Sequence, residues 1–181
     1  MLTKSSKHFA GIGSRSMPAS EKWKIDKIVD LTNDLDMILR SGAAEGADTF
    51  FQLQSWKSEI FLPWNGFAGK SVEKSTKNIE YIVPKYDESY VNRFHPKPQN
   101  LTASGKKLMS RNTNQVLGRN FDDPVEFVAC WTPSGKDEGG TAQACRIARH
   151  LKIPVYNLND EKEFKTILSI LEDRLTLGMY E

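Results

Sequence analysis

The residues best suited to chemistry are a pair of glycines, preceded by two acidic residues and followed by a threonine. They occupy positions 137–141, with the sequence DEGGT, between the apolar run 125–131 and a helical pattern. A buried strand that turns into a helix through glycines leaves free backbone N–H groups at the positive end of the helix dipole, where a phosphate binds well. We therefore predict that Gly139, Gly140 and Thr141 bind a nucleotide-like anion.

Two other glycine-rich turns follow predicted strands earlier in the chain. In an open parallel sheet, ligands bind at the carboxyl ends of the strands, so we expect the three turns to converge on one site. Glycine in each turn allows a close backbone approach or a positive φ angle. The ligand-binding candidates in these two turns are Gly11, Gly13, Ser14, Arg15, Ser41, Gly42, Gly46 and Asp48.

Three candidate side chains each have two interpretations. The guanidinium of Arg15 pairs with a phosphate or remains a solvated surface charge. Asp48 caps the helix on which it lies or contacts a ribose hydroxyl. Trp131 is also a ligand-binding candidate, because it ends a strand beside the glycine pair and either stacks on a base or fills the core. The sequence leaves these alternatives open.

A predicted helix over 101–117 and the acidic loop supply the remaining candidates. Arg111, Asn112 and Gln115 are polar positions of this helix that we expect to face the pocket. Glu138 lies beside the glycine pair, and a general base must lie within hydrogen-bond reach of the proton that it removes. Glu138 is therefore a catalytic candidate, and its alternative is a solvated loop carboxylate.

Strand-like and helical patterns alternate along the chain and are joined by short loops. This alternation predicts an α/β fold, a Rossmann-like parallel sheet with helices on both faces. The length of 181 residues suits one domain, so we predict a single domain over 1–181. Residues 64–104 are rich in Lys, Pro, Asn and aromatic residues, and we predict that they form an irregular, lid-like segment.

The composition narrows the class of protein. Hydrophobic residues make up 39% and charged residues 27% of the chain, as in ordinary globular proteins. The chain contains no apolar run long enough to span a bilayer and no signal-peptide pattern, which predicts a cytoplasmic protein without a membrane partner. The net charge of +2 is too small to imply a polyanion partner. The two cysteines lack neighbours at metal-ligand spacing, and we predict no metal and no cofactor.

Four motifs together carry a family resemblance. They are residues 11–15 (GIGSR), residues 40–48 (RSGAAEGAD), Arg111-Asn112 and residues 139–141 (GGT). This set resembles the SLOG superfamily, which includes the DNA-processing protein DprA and the LOG (Lonely Guy) phosphoribohydrolases, and it looks most like the small single-domain DprA-like proteins of phages and prophages. The resemblance covers most of the chain and implies a Rossmann-like nucleotide-binding fold, with the ligand over the glycine turns.

The two named branches imply different functions. LOG enzymes cleave the N-glycosidic bond of nucleoside monophosphates with an arginine, which Arg111 matches, and a glutamate three residues after the threonine of the glycine motif. Ala144 occupies that position here, so LOG-type hydrolysis would need Glu138 or Glu45 instead. DprA binds single-stranded DNA and a recombinase through a longer chain with extra domains.

The predicted function is therefore that of a protein that senses, carries or sequesters a nucleotide or an ADP-ribose-type ligand. The alternative is an N-glycosidic hydrolase of nucleotides, and a further alternative is DprA-like binding of single-stranded DNA. The predicted partner is a nucleotide-like phosphorylated small molecule. Relatives in the superfamily often form dimers, which implies a homo-oligomer.

Overall fold

A computed structural model describes residues 7–179 of the chain, so the N-terminal residues that entered the signal-peptide prediction lie largely outside the described part. This part forms a six-stranded, all-parallel sheet surrounded by six α-helices. The strands are β1 (His8–Gly13), β2 (Ile38–Ser41), β3 (Ser58–Phe61), β4 (Ile79–Ile82), β5 (Val128–Trp131) and β6 (Val155–Asn157). The helices are α1 (Lys22–Asp34), α2 (Ala47–Gln54), α3 (Ser89–Phe94), α4 (Ala103–Leu117), α5 (Thr141–His150) and α6 (Glu161–Gly178). The predicted Rossmann-like α/β fold is confirmed.

The order of the strands creates a switch point beside β1. The sheet runs β4-β3-β2-β1-β5-β6, so the chain builds outward from β1 on one side and then crosses to the other side for β5. At the carboxyl ends of these two strands, Gly13 pairs in register with Trp131. In an open α/β sheet, the crevice at such a reversal is where ligands bind.

Helices cover both faces of the sheet because successive strand residues point to opposite sides. Phe9 of β1 packs in the core cluster that contains Ile28 of α1, Phe51 of α2 and Ile167 of α6. On the other face, Ile12 of β1 belongs to a second cluster, to which α4, α5 and the neighbouring α3 contribute. Within residues 7–179, none of the helices is both long and apolar enough to cross a membrane.

The segment 64–104 contains more regular structure than its composition indicates. Its residues 79–82 form β4, which pairs in parallel with β3 and becomes the edge of the sheet. Helix α3 and short 3-10 turns over Phe67–Gly69, Val72–Lys74 and Pro98–Asn100 occupy much of the remainder. A four-residue edge strand has too few alternating positions to be recognised among lysines and prolines, since pairing with β3 provides most of its order.

A cluster of charged side chains joins β1, β2, β3 and the loop before β5. The guanidinium of Arg40 is buried, and its Nε donates to Glu59 at 2.7 Å while its Nη2 donates to Asp123 at 2.5 Å. His8 lies within 3.6 Å of Glu59 and 3.4 Å of Asp123. Burial alone would raise the pKa of Glu59, but hydrogen bonds from His8 and Arg40 lower it to about 2. The cluster thus depends on an ionised Glu59.

Candidate functional site

A cavity of about 490 Å³ opens at the switch point between β1 and β5. Its walls are the turn after β1, the turn that begins α5, and one side of α4. The start of α4 is held by Thr102, whose hydroxyl oxygen accepts a hydrogen bond from the Gly105 N–H at 3.0 Å. The volume is within the usual range for small-molecule sites, which is about 300–1,000 Å³.

The turn before α5 presents unpaired backbone donors to the cavity. Gly139, Gly140 and Thr141 all line it, and their N–H groups have no acceptor among the residues that the structure describes. Gly139 has a φ of 60°, which favours glycine at this position. The turn is fixed to α4 because Asn112 Nδ2 donates to the Gly140 carbonyl at 3.0 Å. Unpaired backbone donors at the start of a helix are the groups that bind anions at such sites.

The turn after β1 forms the opposite wall. Gly13, Ser14 and Arg15 line the cavity, and the Ser14 N–H donates to the Trp131 carbonyl at 2.9 Å. A Cβ atom at Gly13 would lie 2.5 Å from that carbonyl oxygen, so only glycine allows β1 and β5 to approach this closely. The Arg15 side chain is exposed at the rim and makes no salt bridge within residues 7–179.

Asp48 joins the first two glycine turns beneath the cavity. Its Oδ1 accepts from the Gly13 N–H at 3.0 Å, and its Oδ2 accepts from the Ala44 N–H at 3.4 Å. The side chain does not cap α2, although it lies in the first turn of that helix. Burial raises the pKa of Asp48 to about 6, against the opposing effects of Arg111 and these backbone donors.

Arg111 and Gln115 form the inner wall on α4. Arg111 Nη1 donates to the carbonyls of Gly42 and, at 3.0 Å, of Phe61, so the guanidinium anchors α4 to the ends of β2 and β3. Burial lowers the pKa of Arg111 to about 10, with Asp48 acting in the opposite direction and nearby Arg15 adding to the lowering. The guanidinium therefore stays charged at neutral pH.

Glu138 lies on the rim of the cavity and is exposed. One of its carboxylate oxygens accepts from the Ser134 N–H at 2.9 Å. Hydrogen bonds from the backbone and side chain of Ser134 lower the pKa of Glu138. At neutral pH this group is an ionised carboxylate and is unsuited to act as a general acid.

Five of the predicted ligand-binding residues shape the cavity from outside it: Gly11, Ser41, Gly42, Gly46 and Trp131. Ser41 Oγ donates to the Gly11 carbonyl at 2.6 Å, and Gly46 adopts a φ of 76° beside the backbone of Ser14. The side chain of Trp131 belongs to the hydrophobic core and is 5% exposed. Of the two interpretations of this residue, the structure agrees with the core position.

The structure also adds residues that the sequence analysis did not name. Ile12, Ala44, Leu108, Met109 and Pro133 line the cavity. Apolar residues ordinarily indicate core, so their types carried no signal of a site. Phe67 is a further addition, because its ring centroid lies 5.6 Å from Arg111 Cζ. Within residues 7–179 there is no group of three or more His, Cys, Asp or Glu side chains that could hold a metal ion.

These features define the chain as a Rossmann-like α/β protein with a cavity at the switch point of its sheet. Its fold is DprA-like: the solved structure of DNA processing protein A from Helicobacter pylori matches with a TM-score of 0.59 and 16% identity, over 93% of this chain and 80% of that one. DNA processing protein A from Streptococcus pneumoniae matches with a TM-score of 0.49 and 14% identity, over 94% of this chain and 56% of that one. Neither a protein-family model nor a curated protein sequence matches this chain.

Proposed function

We propose that the protein binds a phosphorylated nucleotide in the cavity at the switch point, with a phosphate at the start of α5. The observation that carries this proposal is the run of three backbone N–H groups at 139–141, which border the cavity and have no acceptor within residues 7–179. Backbone donors at a helix start bind anions, because their dipoles and the helix dipole favour negative charge there.

The charges around the cavity support the same ligand. Arg15 extends from the opposite wall without a salt bridge within the described chain, and a guanidinium binds phosphate through two parallel hydrogen bonds. The two carboxylates that line the cavity are both engaged: Asp48 by backbone N–H groups and Glu138 by Ser134. The phosphate end of the cavity therefore has an excess of donors.

The geometry gives less support to hydrolysis of an N-glycosidic bond. That reaction needs an acid for the leaving base and a carboxylate near the oxocarbenium-like transition state. Glu138 is ionised and held by Ser134, and Arg111 donates to two backbone carbonyls through Nη1. Incubation with nucleoside monophosphates, followed by chromatography for released base, tests this alternative. Turnover that is lost in Glu138→Gln would establish an enzyme.

Single-stranded DNA is the second candidate ligand, and the surroundings of the cavity favour it. The Helicobacter pylori protein with the similar fold binds single-stranded DNA. Here, the ring of Phe67 lies beside the Arg111 guanidinium and meets the ring of Trp64 edge-on, at 5.3 Å between ring centroids. The two rings together lead from the cavity to the surface. Lysines that make no salt bridge within residues 7–179 follow later in the sequence, at positions 70, 74, 77, 97 and 107. Exposed aromatics and basic side chains bind single strands by stacking and by phosphate contacts.

Isothermal titration calorimetry with AMP, ADP-ribose and oligo-dT of increasing length separates the two candidates. A mononucleotide site gives AMP binding that depends weakly on salt, whereas a strand site gives affinity that grows with oligonucleotide length and falls steeply with salt. Arg15→Ala should weaken binding of AMP by roughly ten- to a hundredfold, since it removes a charged hydrogen bond. The matched control is Arg119→Ala, which removes a surface arginine that pairs with Glu80.

Absence of AMP and ADP-ribose binding at millimolar concentration would refute the nucleotide proposal. Equal loss in the Arg15 and Arg119 variants would also refute it, because a general change in surface charge would then explain the effect. Native mass spectrometry of the purified protein would identify a nucleotide that copurifies with it. The same measurement gives the oligomeric state, for which a homo-oligomer stays a prediction.

A further inference from the structure

The inner wall of the cavity contains an amide group that makes no hydrogen bond within residues 7–179. Gln115 lines the cavity and is 2% exposed, yet its side chain makes no hydrogen bond with any residue in 7–179. The polar atoms of this amide are not among the fully enclosed atoms that lack a partner, so they are open to the cavity, where water or a ligand can bond to them. Gln115 also packs against Gly42, whose missing side chain makes room for it. The amide is therefore in place to meet polar groups of a ligand.

The charges beside Gln115 differ from those at the start of α5. Asp48 and Arg111 both line this end of the cavity, and each shifts the pKa of the other in the direction that favours ion pairing. Their charges offset one another at neutral pH. A second phosphate here would meet the Asp48 carboxylate, so the inner end favours an uncharged polar group.

An alcohol fits these neighbours best. A hydroxyl both donates and accepts, so it can donate to the carboxylate of Asp48 while it accepts from the amide of Gln115. A base has a more suitable surface elsewhere, because Leu108 and Met109 supply an apolar wall one to two turns nearer the start of α4. We propose that Asp48 and Gln115 form a subsite for the ribose hydroxyls of the ligand, and that the site selects ribonucleotides over deoxyribonucleotides.

This inference rests on the proposed nucleotide binding and adds the identity of the sugar. Calorimetry of the wild-type protein with AMP, 2′-deoxy-AMP and 3′-deoxy-AMP tests it directly. We expect at least one deoxy analogue to bind about tenfold more weakly than AMP, since a hydrogen bond to a charged group is lost. Ribose 5-phosphate should compete with AMP, because it carries the phosphate and the hydroxyls without the base.

Gln115→Met keeps the length of the side chain and removes its amide. In this variant the ratio of the affinity for AMP to the affinity for the deoxy analogue should fall toward one. The control is Gln52→Met, because Gln52 bonds to Tyr81 and does not line the cavity; it should keep the wild-type preference. Melting temperatures of both variants establish that they fold. The comparison of AMP with its deoxy analogues on the wild-type protein does not depend on any variant.

The outcomes separate the two proposals. Tight binding of AMP with equal affinity for both deoxy analogues would overturn the ribose subsite and leave nucleotide binding intact. Failure of ribose 5-phosphate to compete, while AMP binds, would also overturn the subsite. Absence of binding by every nucleotide would overturn the proposed function together with this inference.

Discussion

Replacement of Asp48 by asparagine should change how the stability of the protein depends on pH. Asp48 is 4% exposed, and burial raises its pKa from 3.8 to about 6. The folded state therefore holds this proton more tightly than the unfolded chain does. The difference between the two pKa values corresponds to about 3 kcal/mol of folding free energy.

The sign follows from where the proton is lost. Below about pH 4, Asp48 is protonated in both states and contributes no pH dependence. As the pH rises from about 4 to about 6, the unfolded chain ionises more readily, and the wild-type protein loses stability from this group. Asparagine does not ionise, and its Oδ1 can still accept from the Gly13 N–H. The free energy of unfolding of Asp48→Asn minus that of the wild type should rise by about 3 kcal/mol over this range.

Urea denaturation of both proteins between pH 3.5 and 7.5 measures this difference, because the contributions of other carboxylates cancel when sites are independent. Asp87→Asn is the control, since Asp87 is only partly buried and hydrogen bonds from Ser89 lower its pKa. The free energy of unfolding of this variant minus that of the wild type should fall, not rise, as the pH increases. If the wild-type and Asp48→Asn curves run parallel across this pH range, the assignment of a buried, weakly acidic Asp48 is wrong.

Two further substitutions test the charge cluster around Glu59 and the packing at Gly42. Glu59→Gln should lower the free energy of unfolding at pH 7 by about 3 kcal/mol, because the pKa of Glu59 is about 2 in the folded protein against an ordinary 4.5. This loss should shrink as the pH falls from 4.5 toward 2, and a pH-independent loss measured by urea denaturation would contradict it. Gly42→Ala should cost about 1–3 kcal/mol and weaken AMP binding, since the added methyl displaces Arg111 and Gln115. Gly178→Ala, where a Cβ meets open space, is its control in thermal denaturation and calorimetry, and equal effects of the two changes would contradict the packing argument.

Local patterns in the sequence were sufficient to predict the fold and the three turns. Strands that end in glycines and lead into helices are encoded within a few residues, and parallel strands place their carboxyl ends on one edge of a sheet. Eleven of the residues predicted for the site line the cavity, among them Arg15, Asn112 and Thr141. The edge strand β4 was missed because its four residues have little local signal without β3 beside them.

Only the tertiary structure decided what individual side chains do. From the sequence alone, Asp48 could be a helix cap or a ligand contact. The fold places it between two turns, where its carboxylate accepts hydrogen bonds from their N–H groups. Trp131 lies in the core because β5 is buried on both faces. The fold sets Gln115 of α4 against Gly42, 73 positions away in the sequence, where its side chain makes no hydrogen bond within residues 7–179. Turn chemistry depends on neighbouring residues, whereas burial, pKa and hydrogen-bond partners depend on contacts between distant segments, which a pattern of residue types does not specify.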